Sequence, residues 1–163
     1  TASSNDLTLN DLGNLCDIFY IGGTKNGALL GEALIICNDD LKAYFRNSIK
    51  LNGGMLAKGF LIGIQFEALF TDELFFNLGR NANRTAKLLA DGLKNAGLEL
   101  VYPSPTNQQF VRLDNALIDK LKEKYDFEIW EQGSENAVIR LVTSWATTPE
   151  AIKNFITDLK ASL

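Results

Sequence analysis

Two side chains in this sequence could carry chemistry, and both are basic. Lys25 lies in the turn Gly22-Gly23-Thr24-Lys25-Asn26-Gly27, just past the apolar run Ile18-Phe19-Tyr20-Ile21. Ligands in open α/β sheets bind beyond the carboxyl ends of strands. A lysine held there over an apolar sheet can lose its proton through desolvation and attack a carbonyl to form a Schiff base. Thr24 beside it offers a hydroxyl that could hold a phosphate or a cofactor ring. The turn matches neither GxxxxGK[ST] nor GxGxxG, so a solvated lysine among glycines that need φ > 0 is the competing reading.

Arg140 is the second. In Ala137-Val138-Ile139-Arg140-Leu141-Val142-Thr143 the alternation puts Arg140 on one face with Val138 and Val142, in a strand whose other face is also apolar. A guanidinium there keeps its charge and needs an anion. Two anions are open to it: an internal carboxylate such as Glu128 or Glu131 on a neighbouring strand, or the carboxylate of a ligand held by two parallel bonds.

The rest of the composition narrows the chemistry. The 163 residues contain no histidine, which removes the Ser/His and Cys/His nucleophile pairs, the usual zinc sites and the commonest general base. The acidic residues are dispersed, with no spacing that singles out a metal. Sixteen Lys and Arg against twenty Asp and Glu give a net charge of −4, so nucleic acid is not an expected partner. Cys16 and Cys37 stand singly among apolar residues, as reduced core cysteines of a cytoplasmic protein would. The apolar stretch from Gly54 to Phe70 is interrupted by Lys58, Gln65 and Glu67 and falls short of a membrane span. The sequence opens on polar Thr1-Ala2-Ser3-Ser4-Asn5-Asp6 with neither a signal peptide nor Met, so we expect a processed, tagged or truncated start. Asn83-Arg84-Thr85 matches a glycosylation sequon but falls on an expected helix, and Trp130 and Trp145 read as packing residues.

Several elements must position Lys25 and Arg140. Thr8-Leu9-Asn10-Asp11 reads as a capping box opening a short helix. Ile18 to Ile21 and Ala33 to Cys37 read as strands buried on both faces of a parallel or mixed sheet, flanking the lysine turn. Helical periodicity runs from Leu41 to Lys50, then after Asn52-Gly53-Gly54 to about Phe70, with Gly59 and Gly63 one turn apart as if another backbone approached there. A third helix opens at Thr71-Asp72-Glu73 and stops at Gly97. Beyond it, Leu98 to Tyr102, Phe110 to Leu113, Phe127 to Trp130 and Ala137 to Thr143 read as strands, with a helix from Leu117 to Lys124. Thr147-Thr148-Pro149-Glu150 caps a last helix. The domain boundary is expected inside the third helix, giving 1–75 and 76–163.

Taken together, Asp17 to Gly27 resembles the cofactor-lysine segment of the threonine aldolase and aromatic amino acid β-eliminating lyase family. Three segments keep step with it: Gly31-Glu32-Ala33-Leu34-Ile35-Ile36, Asn52-Gly53-Gly54-Met55, and Ile139-Arg140-Leu141-Val142-Thr143-Ser144-Trp145. The resemblance covers essentially the whole chain and rests on the order and spacing of the four. It implies an α/β fold, the C-terminal part of a pyridoxal 5′-phosphate-dependent (fold type I) large domain followed by a small α+β domain.

The same resemblance implies that Lys25 forms the internal aldimine with pyridoxal phosphate, Thr24 helps seat the cofactor, and Arg140 grips the α-carboxylate of a small amino-acid substrate. The implied reaction is carbon–carbon cleavage of a β-hydroxy amino acid in a homodimer or homotetramer. Leu56 stands where many threonine aldolases carry a basic residue after the Gly-Gly-Met turn. The phosphate loop, the ring-stacking residue and the acid that pairs with the pyridine nitrogen are expected upstream of Thr1, so this chain alone is expected to be inactive. The alternative is a non-catalytic α+β module that binds a small anion or a partner chain through Arg140 and the Gly22 to Gly27 loop.

Overall fold

A computed structural model describes residues 6–163, so the polar opening before Asp6 lies outside the described residues. The chain divides into two compact units, Thr1–Leu78 and Gly79–Leu163, with the division inside one long helix.

In the first unit, α1 (Leu9–Leu15) starts with the expected capping box: Thr8 accepts from the Asp11 amide while the Asp11 carboxylate accepts from the Thr8 N–H. Strands β1 (Ile18–Gly22) and β2 (Glu32–Ile36) follow, then the short helix α2 (Phe45–Leu51) and α3 (Phe60–Phe70). Among the described residues the two strands pair only with each other, antiparallel, with Phe19 opposite Ile35 and Gly22 opposite Glu32. Both alternate between exposed and half-buried positions. The expectation of strands buried on both faces is therefore corrected: a two-stranded ribbon packs one face, and Tyr20 and Leu34 on its other face are exposed.

Gly59 and Gly63 are corrected too. A Cβ on Gly63 would have nothing within 4 Å, and one on Gly59 would meet only neighbouring Leu56. Among the glycines inside the α-helices it is Gly92 that admits a close approach: a Cβ there would lie 2.7 Å from Ile156 Cγ1.

The third helix is α4 (Leu74–Asn95), and it begins later than the sequence indicates. Thr71–Glu73 form a separate 3-10 turn in which Asp72 and Glu73 have φ of 50° and 58°, left-handed values that close α3 before α4 can begin. Leu98 N–H returns to the Leu93 carbonyl past Gly97, the expected stop.

The second unit is the α+β arrangement expected. Strands β3 (Gln108–Asp114), β4 (Glu128–Glu131) and β5 (Asn136–Val142) form an antiparallel sheet in the order β3-β5-β4. Leu98 to Tyr102 does not form a full strand; it contributes a single bridge, Leu100 to Val111. Helices α5 (Asn115–Lys122) and α6 (Pro149–Ser162) join the second-unit part of α4 on one face of the sheet. Their core includes Leu93, Val111, Ile139, Phe155 and Leu159, which are almost wholly buried. Each such side chain contributes about 1.5–3 kcal/mol by leaving water. The opposite face of the sheet carries Arg140.

Candidate functional site

Lys25 sits in a one-turn 3-10 segment, Thr24–Asn26, between β1 and β2. Its backbone is held from both sides. Gly23 N–H donates to the Gly31 carbonyl at 3.1 Å, and the Gly23 carbonyl accepts from Asn26 N–H at 2.9 Å and Ala28 N–H at 3.0 Å. Only glycine fits at 23, because a Cβ there would lie 2.8 Å from both Ala28 Cβ and Phe66 Cζ. Gly27 closes the turn at φ 104°. Asn26 Nδ2 donates to the Phe75 carbonyl, and Leu29 N–H donates to Gln65 Oε1, both at 2.8 Å.

On this fixed backbone the Thr24 and Lys25 side chains are exposed and engage no other group among the described residues. Such a turn fits the attachment of pyridoxal phosphate: it offers a primary amine free of competing ion pairs, beside a hydroxyl, on a backbone that cannot swing away.

Arg140 belongs to the second unit. It stands on the central strand β5, directly opposite Phe110 on β3 and Glu128 on β4. Of the two carboxylates considered from the sequence, Glu128 is the partner: Arg140 Nη2 donates to Glu128 Oε2 at 2.5 Å. Glu131 instead accepts from the Tyr102 hydroxyl.

A bulge in β4 explains the difference. Ile129 faces Ile139 and Glu131 faces Val138, so Trp130 is the extra residue and its ring lies 5.4 Å from the Arg140 guanidinium carbon. Phe110 packs edge-on to Trp130 at 5.2 Å, and Tyr102 edge-on to Phe110 at 5.5 Å. Arg140 Nη1 reaches Gln108 Oε1 at 3.5 Å, and Arg140 Nε is buried without a partner. Trp130 and Gln108 were not read from the sequence as neighbours of Arg140, because a bulge leaves no signature in the alternation.

The segment after Arg140 is anchored. Buried Thr143 donates its hydroxyl to the Ala82 carbonyl at 2.7 Å and its N–H to the Asn107 carbonyl at 3.0 Å. Asn81 Nδ2 holds the carbonyls of Trp145 and Thr147 at 3.0 and 3.1 Å. The sequon residue Thr85 is fully buried within α4, which supports a chance match. Among the described residues no cluster of three or more His, Cys, Asp or Glu is placed to hold a metal ion, and no helix is long and apolar enough to cross a membrane.

No family model matches the chain. It is similar to a low specificity L-threonine aldolase of Pseudomonas aeruginosa, 30% identical over 149 residues that make up 88% of this chain and 41% of the relative. It is similar in sequence and fold to a threonine aldolase of Leishmania major at 46% identity and a TM-score of 0.89, over 96% of this chain and 46% of that one. A structure of serine palmitoyltransferase with a pyridoxal-phosphate internal aldimine, 15% identical, shares the fold with a TM-score of 0.63 over 94% of this chain and 41% of that one. The chain thus spans less than half the length of these relatives. The chain is thus homologous to part of these threonine aldolases and has the fold of a C-terminal portion of the pyridoxal-phosphate fold type I architecture.

Proposed function

We propose that the chain is part of a pyridoxal-phosphate-dependent lyase that cleaves the Cα–Cβ bond of threonine or allo-threonine to give glycine and acetaldehyde. The observation that carries this reading is the lysine turn: an exposed, unengaged amine on a backbone locked by Gly23 and Asn26, in a chain 46% identical to a threonine aldolase. Lys25 is the covalent attachment point and Thr24 the hydroxyl that helps seat the cofactor. When bound, the cofactor's pyridinium ring supplies an electron sink for the breaking bond. Arg140 binds the α-carboxylate, which fixes the amino acid so that one bond at Cα is presented for cleavage.

In this reading 1–75 end the cofactor-binding large domain, 76–163 form the small domain, and the complete protein is a cytoplasmic homodimer or homotetramer. Its test is borohydride reduction of the complete protein loaded with pyridoxal phosphate, followed by peptide mapping. A pyridoxyl group on Lys25 is expected; an adduct on another lysine, or no cofactor uptake, overturns the assignment.

The pairing of Arg140 with Glu128 inside the chain favours a second reading, a non-catalytic module that binds a small anion or a partner chain. A complete protein that never takes up cofactor yet binds anions through Arg140 would support it.

A further inference from the structure

Arg140 carries more donors than its neighbours satisfy. Nε and Nη2 lie along one edge of the guanidinium, the edge on which a carboxylate can accept two parallel bonds. Glu128 takes only Nη2, and Nε remains buried without an acceptor. The partners also differ in exposure: the Arg140 side chain is 23% exposed and the Glu128 side chain 64%. Glu128 can therefore swing into water at little cost, whereas Arg140 is held in place by the Trp130 ring and by its position on the central strand. An exposed carboxylate is making one bond to a fixed fork built for two.

We propose that Glu128 is a displaceable stand-in for the ligand carboxylate: a positioning residue that neutralises Arg140 when no ligand is bound and is pushed aside when an amino-acid carboxylate takes Nε and Nη2 together. The inference rests on the reading of Arg140 as the carboxylate-binding residue and adds that the affinity of this site is set by competition with Glu128. Exchange replaces a single-point ion pair with a two-point one and satisfies the orphaned Nε–H. Trp130 keeps the plane of the fork fixed during the exchange, so the arriving carboxylate meets an oriented partner.

The test is a glycine titration of the complete protein followed by proton–nitrogen NMR of the arginine Nε–H groups, with the Arg140 resonance identified by its loss in Arg140→Lys. Glycine is expected to shift that resonance. Glu128→Gln should tighten the apparent Kd twofold to fivefold, equivalent to about 0.4–1 kcal/mol, with little change in Tm. Glu128→Asp, whose shorter reach loosens the pair, should move the Kd in the same direction. A binding response that depends on Arg140 but is unchanged or weakened in both Glu128 variants overturns the displacement role and leaves the reading of Arg140 intact. A Glu128→Gln variant with a markedly lower Tm and no gain in affinity also overturns it, by returning Glu128 to a structural role. If glycine shifts no arginine resonance in the unmodified complete protein, the carboxylate-binding reading of Arg140 fails, and the inference with it.

Discussion

Asn26 Nδ2 donates to the backbone carbonyl of Phe75 at 2.8 Å, which ties the residue after Lys25 to the first turn of α4, 49 positions along the chain. The bond is half-buried, so its loss leaves a carbonyl short of a donor and a turn with one anchor fewer. Asn26→Ala should cost about 1 kcal/mol by denaturant unfolding. In the complete protein it should also weaken cofactor retention, measured by dialysis, because the amine of Lys25 is then less firmly placed.

Lys25→Ala separates chemistry from stability. Lys25 is exposed and engages nothing among the described residues, so its removal should change the unfolding free energy by no more than about 0.5 kcal/mol. Turnover of threonine by the complete protein should fall by at least about a hundredfold, since a positioned nucleophile accounts for several kcal/mol of the barrier. Measuring melting and turnover on one preparation checks both halves of the expectation.

Gly63 and Gly92 both lie inside helices, yet alanine should act on them in opposite directions. Gly63 has open space where a Cβ would go, so Gly63→Ala should stabilise by about 1 kcal/mol through helix propensity. At Gly92 the new methyl would sit 2.7 Å from Ile156 Cγ1, and overpacking costs of about 1–3 kcal/mol outweigh the same propensity gain. Chemical denaturation of the two variants decides the sign in each case.

Asp158 should govern part of the pH dependence of stability. Hydrogen bonds from Lys124, then Tyr125, hold its carboxyl below the ordinary value of 3.8, so its contribution is present above that value and is lost as pH falls through the lowered one. The Asp158 hydrogen bond raises Lys124 above 10.5, and burial followed by the Asp158 bond raises Tyr125 above 10.0. These two contributions are complete below the ordinary values and disappear as pH rises through the raised ones. Asp158→Asn should therefore be less stable near neutrality, with flatter acid and alkaline limbs in a Tm-versus-pH profile.

How much was legible from the sequence depended on how local the controlling physics is. The caps at Thr8 and Thr148 were readable because a cap is settled within four residues, and Thr148 does accept from the Ala151 amide. Alternation put Arg140 on the correct face for the same reason. Whether Glu128 or Glu131 would meet it depended on strand order and on the extra residue Trp130, which only pairing across the sheet decides. Ile18 to Ile21 misled because a run of β-branched and aromatic residues reports the capacity for burial, while actual burial depends on what covers each face. The bridge at Leu100 fell short of a strand although Val101 and Glu99 do exchange backbone bonds with Phe110 and Arg112. Pro103 and Pro105, which lack an amide proton, end the pairing soon afterwards.

The left-handed pair Asp72 and Glu73 has a consequence for how the chain melts. A helix lengthens cheaply once begun, because each new residue inherits a hydrogen-bond partner from the turn before it, and fraying runs back along the same ladder. Two consecutive residues at positive φ interrupt that ladder, while the Thr71 hydroxyl closes the last turn of α3 on the Glu67 carbonyl. Helices α3 and α4 therefore nucleate independently, and a defect that unzips one stops at the junction. The two left-handed residues cost about 1–2 kcal/mol each, and in return the fraying of α3 and the fraying of α4 are separate events.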